Sequence, residues 1–339
     1  MPPGPPPPRS RRDAPLDADG RPAVRVAADV HRRPALGHLL TRRGLGPYRG
    51  YAEMLEALDR LAERGARLAL VGRSLGGEPL VAVHLGVPPD KADAATRTSV
   101  VLSGVHPTEW IGIETNLALL DRLAGADLGG RSIVAFPIVN PDGVLRVEMN
   151  LREGRRRFVR HNARGVDLNR NFDARWGRRG IVQRLLGRIY APGTRAASEP
   201  EVEAIAHALS SRRIDRALSL HSFGGVVLYP PAGSRWPVPD VGEHRAWAQR
   251  IARAADDKPY RAVSAAWWGL GITQSGLELD WFHDRHGALS LLVECSRGGI
   301  GLSPSRLFDP FAWFNPPKLD DVTLRLVDAL SPYVRGLPP

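Results

Sequence analysis

The chain has 339 residues, with 47 Lys+Arg against 36 Asp+Glu and a formal net charge of +11, and only three of its cations, Lys91, Lys258 and Lys318, are lysines. With 43% hydrophobic and 24% charged residues, it can bury a large core, which excludes a wholly disordered chain, a collagen-like fibre and a polytopic membrane protein. The single cysteine, Cys295, excludes an internal disulfide framework. Excess arginine invites a polyanion-binding reading, because guanidinium groups neutralise phosphates. Scarce Lys beside abundant Arg, Ala, Gly and Pro is equally the product of a GC-rich coding bias, so no nucleic-acid partner is expected.

Residues 1–45 open Met-Pro-Pro-Gly-Pro-Pro-Pro-Pro and carry nine arginines against four aspartates without helical or strand periodicity. That composition predicts a disordered Pro/Arg-rich extension. Arg11-Arg12 is not followed by the apolar stretch of a signal peptide, and nowhere does an apolar run of about 18 residues occur. A cytoplasmic protein without a membrane partner is therefore expected. Residues 46–337 read as one domain. Met54, Leu55, Leu58 and Leu61 repeat at helical spacing, and 68–72 and 79–85 read as strands around a Gly-rich turn. A strand at 99–103 precedes a helix from about 109 to 123, and another strand is expected at 132–139. Ser198-Glu-Pro-Glu201 reads as a capping box opening a helix through Val202, Ile205 and Leu209. Strands at 216–220 and 289–294, a helix around 240–256 and a last helix from about 318 to 333 complete the series. This alternation predicts an α/β fold, a single domain with a central mixed, mostly parallel β-sheet flanked by helices.

Several short motifs carry chemistry. Gly72-Arg-Ser74-Leu-Gly76 matches a nucleophile elbow, which requires a strand-to-helix turn; the following Gly77-Glu-Pro-Leu-Val-Ala-Val suits a hairpin instead. His106-Pro-Thr-Glu109 lies between an apolar strand and a helix, where a sheet presents ligands to a cleft. An imidazole and a carboxylate at this spacing suit Zn²⁺, and His221, closing a second apolar strand, adds a third ligand. Two histidines and one glutamate leave the fourth position open to water, the catalytic arrangement. His283 and His286, three apart in a polar, loop-like stretch, read as surface or supporting residues.

In Gly165-Val-Asp-Leu-Asn-Arg-Asn-Phe172, preceded by Arg160-His-Asn-Ala-Arg164, amides and guanidiniums crowd apolar residues and need partners. A guanidinium fork beside an amide suits a carboxylate ligand, and Asp167 is of the type that orients a metal-bound histidine through its other ring nitrogen. Glu294 ends an apolar strand, where a carboxylate needs a partner or a task; beside a zinc-bound water it would be the general base. Cys295, next to it, reads as a small buried residue.

Together these residues resemble the M14 metallocarboxypeptidases, the carboxypeptidase A-like zinc exopeptidases. The resemblance runs in order from about Tyr48 to Tyr333: H-x-x-E at His106 and Glu109, Asn140-Pro-Asp-Gly143, G-V-D-L-N-R-N-F at 165–172, the strand-end His221 with its Ser-Phe and Leu-Tyr-Pro, and Glu294. It implies one Zn²⁺ on His106, Glu109 and His221, with Asp167 behind a ligand histidine. It implies that Glu294 deprotonates the zinc-bound water and returns a proton to the leaving amine, and that Asn169 and Arg170 grip the substrate's terminal carboxylate. Arg160 matches the arginine that polarises the scissile carbonyl. The implied activity is hydrolysis of the C-terminal peptide bond of a peptide or protein that has a free terminal carboxylate.

Departures from the pattern are local. Thr108 stands where pancreatic-type members carry an arginine, and Ile272 where they carry a mobile active-site tyrosine; no tyrosine lies between 261 and 293. The floor of the specificity pocket falls at Leu279, implying an apolar terminal side chain, although Glu278 or Asp280 at that place would favour a basic one. An M14-like amidase acting on murein peptides is the enzymatic alternative, suggested by the short approach from Arg160 to Gly165. An arginine-rich polyanion-binding protein is the alternative from another class. Seven arginines fall within 146–164 against Glu148 and Glu153, a net +5, so part of the excess charge is expected to serve a cleft that draws an anionic peptide terminus.

Overall fold

The computed structural model describes residues 44–177, 185–299 and 307–339, so the Pro/Arg-rich extension lies, but for its last two residues, outside the described residues. Eight strands form one sheet: β1 (Arg67–Arg73), β2 (Pro79–Gly86), β3 (Arg97–Ser103), β4 (Ser132–Phe136), β5 (Arg213–His221), β6 (Val226–Tyr229), β7 (Arg261–Ser264) and β8 (Leu289–Glu294). Their spatial order is β1-β2-β4-β3-β5-β8-β6-β7. The central β4-β3-β5-β8 block is parallel, while β1 and β2 join antiparallel on one side and β6 antiparallel on the other. With β7 parallel to β6, the sheet is mixed and its parallel part is central, as expected.

Helices cover both faces: α1 (Tyr51–Glu63), α2 (Trp110–Leu123), α3 (Pro141–Arg152), α4 (Pro200–Leu209), α5 (Val241–Ala254), α6 (Ala265–Trp268), α7 (Glu278–His286), α8 (Pro310–Phe314) and α9 (Leu319–Val334). Alternate residues of β3 serve opposite cores, as strand pleating requires. Val101 packs with Trp110, Leu120, Trp247 and Leu330 on one face, and Val100 and Leu102 pack with Phe172, Ile205 and Phe282 on the other. Among the described residues, no helix is long and apolar enough to cross a membrane.

The Gly-rich turn after β1 is a hairpin into β2. Ser74 Oγ donates to Asp142 Oδ1 at 2.7 Å and accepts from the Glu78 N–H at 3.0 Å, so the serine pins the turn. The strand expected at 132–139 ends at Phe136, where Pro137 offers no N–H for a ladder.

Two local expectations are corrected. Ser198 does not cap α4: Glu199 occupies the N-cap position without a side-chain bond to the helix. Instead Ser198 Oγ accepts from Asn171 Nδ2 at 2.9 Å and donates to Glu199 Oε1 at 2.8 Å, and Glu201 Oε2 accepts from Asn162 Nδ2 at 3.3 Å. Tertiary partners have taken the capping groups. The loop expected around His283 and His286 is helix α7, with Glu278 and Asp280 in its first turn and His283, Arg285 and His286 in its last. That charge order complements the helix dipole, and Gly287, at φ 62, supplies the left-handed C-cap.

Candidate metal centre and substrate cleft

The C-terminal ends of β3, β5 and β8 lie at one edge of the parallel block, with Ser103 opposite Leu220 and His221 opposite Glu294. Such an edge is where α/β sheets bind ligands. Leaving β3, the chain turns at Gly104, at φ +64, where a Cβ would press on Ile113 and Ile138. The turn delivers His106 to the cleft and puts Glu109 at the N-cap of α2.

His106 Nδ1 lies 2.9 Å from Glu109 Oε1, and His221 Nδ1 lies 2.9 Å from Glu109 Oε2 and 3.2 Å from His106 Nδ1. The three side chains are buried, at 6%, 4% and 2% relative exposure for His106, Glu109 and His221. On their far sides, His106 Nε2 meets Asp167 Oδ1 at 3.1 Å, and His221 Nε2 meets Glu278 Oε1 at 2.7 Å. A carboxylate only accepts, and each ring has one on both sides, Glu109 within and Asp167 or Glu278 without; with a cation between Glu109 and the rings, each Nε2 keeps its proton for the outer carboxylate and each Nδ1 turns a lone pair inward. Two imidazole nitrogens and a carboxylate that converge in this way, each ring backed by an outer carboxylate, form a nitrogen and oxygen donor set that fits zinc.

Charge in the cleft follows from burial and close partners. Burial works against a charged Glu109, but positive charge on the two rings, which takes the place of an ion here, and their hydrogen bonds outweigh it and hold the carboxyl at about 2. Burial likewise opposes a charged Asp167, yet Arg160 and Arg170 hold it far below the usual carboxylate range. Glu294 is pushed the other way, up to about 8, first by burial and then by the Glu109 carboxylate, and its Oε2 makes no hydrogen bond.

Asp167 also begins the turn that presents the next two residues. Its Oδ1 accepts from the Asn169 N–H at 3.1 Å. Asn169 Oδ1 accepts from the Glu278 N–H at 3.2 Å, which turns the amide NH₂ of Asn169 the other way. The buried Arg170 donates to Asn169 O at 2.5 Å and to Gln274 Oε1, while its Nε has no partner. Its guanidinium sits 4.8 Å from the Tyr190 ring centre, and that of Arg160 lies 5.5 Å from the same ring. Arg160 donates through Nε to Asp167 Oδ2 at 2.9 Å. Its neighbours Arg155, Arg156 and Arg164 pair instead with Glu153, Asp309 and Glu199.

A sequence profile of the zinc carboxypeptidase family (Peptidase_M14) matches residues 51–317. The chain belongs to the zinc carboxypeptidase family. Mouse carboxypeptidase A6 is 32% identical over 282 residues, which are 77% of this chain and 63% of that protein. Carboxypeptidase B of Helicoverpa zea is 29% identical over 204 residues, 54% and 47% of the two chains. The chain thus spans between 47% and 63% of the length of these two curated relatives. Among solved structures, carboxypeptidase A from Helicoverpa armigera superposes with a TM-score of 0.70 at 21% identity, covering 92% of this chain and 78% of its own. A murein-tripeptide amidase from Escherichia coli O157 gives 0.52 at 22% identity, covering 82% and 97%. These two structures share the fold.

In this member of the family the structure brings His106, Glu109 and His221 together as one group able to hold an ion, with Asp167 behind His106 and Glu294 at the adjoining strand end. Leu279, at 1% exposure, packs among Val226, Leu228, Ala265 and Leu292. The acids flanking it are engaged: Glu278 on His221, and Asp280 accepting from the Ala232 and Gly233 N–H groups at 2.8 and 2.7 Å. Thr108 Oγ1 donates to Val159 O at 2.6 Å, which anchors the chain just before Arg160. Ile272 is partly exposed on the loop after α6.

Sequence reasoning missed Glu278 as a partner of His221, Gln274 as a partner of Arg170, and Tyr190 beneath both arginines. Glu278 and Gln274 were detectable only as polar residues beside Leu279, and Tyr190 sits in no motif. A second group, Asp240, His244 and His283, also has metal-compatible spacing. There His244 Nε2 accepts from the Ser290 N–H at 3.1 Å, so Nδ1 carries the proton and points at Asp240 O, 3.3 Å away. It is a hydrogen-bonded tie between α5, α7 and β8.

Proposed function

We propose that the chain is a metallocarboxypeptidase that removes C-terminal residues from peptides with a free terminal carboxylate. The observation that carries this reading is the convergence of the inward-facing Nδ1 atoms of His106 and His221 with Glu109, flanked by Glu294 and by the Asn169/Arg170 pair. We assign one zinc ion to His106, Glu109 and His221. When bound there, zinc supplies a Lewis acid that polarises a carbonyl and acidifies water.

This chain's own side chains do the rest. Arg170 and the NH₂ group of Asn169 take the terminal carboxylate in a bidentate grip. Gln274 gives up its bond to Arg170 as the substrate arrives, and the unpartnered Arg170 Nε gains an acceptor. Arg160, fixed by Asp167 through Nε, keeps its terminal N–H groups for the scissile carbonyl oxygen, an alignment made before the reaction begins. Glu294 removes a proton from the attacking water and passes it to the departing amine; its raised pKa suits both duties. Leu279 and its apolar neighbours back the pocket for the terminal side chain. With Glu278 and Asp280 both engaged, apolar terminal residues are favoured over basic ones. The polyanion-binding alternative is weakened because Arg152, Arg155, Arg156, Arg160 and Arg164 are each ion-paired within the chain.

The test is residue release from a mixed peptide library that includes murein peptides, read by mass spectrometry. Chelation should stop release and zinc restore it, and C-terminal amidation should block it. Equal cleavage of amidated peptides would refute the carboxylate grip, and selective turnover of murein peptides would favour the amidase reading.

A further inference from the structure

The residue the proposed mechanism leaves unexplained is Glu278. It is fully buried, at 0% exposure, between the apolar Leu277 and Leu279. Its Oε2 makes no hydrogen bond, while its Oε1 receives His221 Nε2 at 2.7 Å and Ser219 Oγ at 2.9 Å. Burying a carboxylate with half its acceptors empty is costly. An apolar side chain would fit the surroundings without that cost. Ser219 Oγ lies 3.1 Å from the same His221 nitrogen as a neutral partner; what Glu278 adds is a closer, anionic acceptor on that nitrogen, which faces away from Glu109.

The same device stands on the other side of the site, where Asp167, also at 0% exposure, receives His106 Nε2 at 3.1 Å. The two carboxylates come from unrelated places in the chain. Asp167 precedes a short 3₁₀ turn, and Glu278 is the first residue of α7, where the helix dipole favours negative charge. The His106 and His221 rings that they back meet edge to face, with centroids 4.9 Å apart.

Resting on the zinc assignment above, we propose that Glu278 is a positioning residue for the metal: it locks His221 in the Nε2–H tautomer and fixes the ring so that Nδ1 faces the ion. The two histidine ligands then form a matched pair, each backed by its own buried carboxylate. A backing carboxylate also raises the basicity of the ligating nitrogen, and loss of such partners typically weakens metal binding about 10- to 100-fold.

The experiment is a zinc titration in competition with a chromophoric chelator on the full chain. Glu278→Gln keeps the volume and should raise the zinc dissociation constant about 10- to 100-fold, and Glu278→Asp should recover part of the loss. The unfolding temperature of the metal-free protein should not fall in Glu278→Gln, which separates positioning from a packing role. Should that variant not fold, the wild-type zinc protein decides by NMR. Both ring Nε2 protons, of His106 and His221, should resist exchange, and a rapidly exchanging His221 proton overturns the proposal. A folded Glu278→Gln protein that binds zinc as tightly as wild type overturns it too and leaves the zinc assignment standing. A wild-type protein that binds no zinc ends both.

Discussion

Among the described residues, two clusters have two histidines sharing a carboxylate, and they differ in one respect that matters. At His106, Glu109 and His221, the outer nitrogen of each ring meets a carboxylate acceptor that can hold the ring proton, so the inner nitrogens are able to offer lone pairs to an ion. At Asp240, His244 and His283, the outer nitrogen of His244 meets a backbone N–H donor, so its inner nitrogen must be protonated. Spacing alone treats the two as equals. The sign of the hydrogen bond behind each ring separates a ligand from a strut.

The sharpest way to break this comparison is His221→Gln. It should eliminate stoichiometric zinc and residue release together, as measured by metal analysis and peptide turnover. Next in size is Glu294→Gln, which should retain zinc and lower kcat by roughly 10²- to 10⁴-fold, the usual worth of a general base. The wild-type enzyme should lose kcat/KM as pH falls, because Glu294 must be unprotonated to accept a proton. That limb should lie between the ordinary 4.5 and about 8, with a bound cation drawing it toward the lower end. On the other side of the comparison, His244→Gln should leave zinc at one ion per chain and cost about 1–3 kcal/mol in stability by denaturant unfolding, since a flexible amide replaces the buried ring that bonds both the Ser290 N–H and Asp240.

The smallest effect concerns Glu201, a buried acid outside both clusters, whose carboxyl burial raises from 4.5 to about 7. The folded protein therefore holds a proton that the unfolded chain has released. The sign follows: this contribution is full below pH 4.5 and is lost as pH rises through about 7. Glu201→Gln should flatten that pH dependence and stabilise the protein at pH 8 by at most about 3 kcal/mol.

How far the sequence reached depends on whether a signal was local. The strands and their alternation with helices were legible from apolar runs, and His106, His221 and Glu294 from their places at strand ends, because parallel strands share an edge. Helix α7 was not legible: its buried residues, Glu278 to Phe282, are consecutive and include two acids, so burial follows the helix's first half rather than one face and leaves no apolar periodicity. The capping box at Ser198 failed because tertiary partners outbid the local bond. The partners of Arg170 and His221 were invisible because Gln274 and Glu278 approach from more than fifty residues away in the chain. The +11 also reads differently, since five of the seven arginines in 146–164 are ion-paired within the chain, Arg156 and Arg164 with acids that lie far from them in sequence.

The most direct test of the central claim is zinc stoichiometry, by elemental analysis, in the wild-type protein and in the His221→Gln and His244→Gln variants. One ion in wild type and His244→Gln, with none in His221→Gln, is the predicted result. Zinc retained in His221→Gln, or lost in His244→Gln, would contradict it.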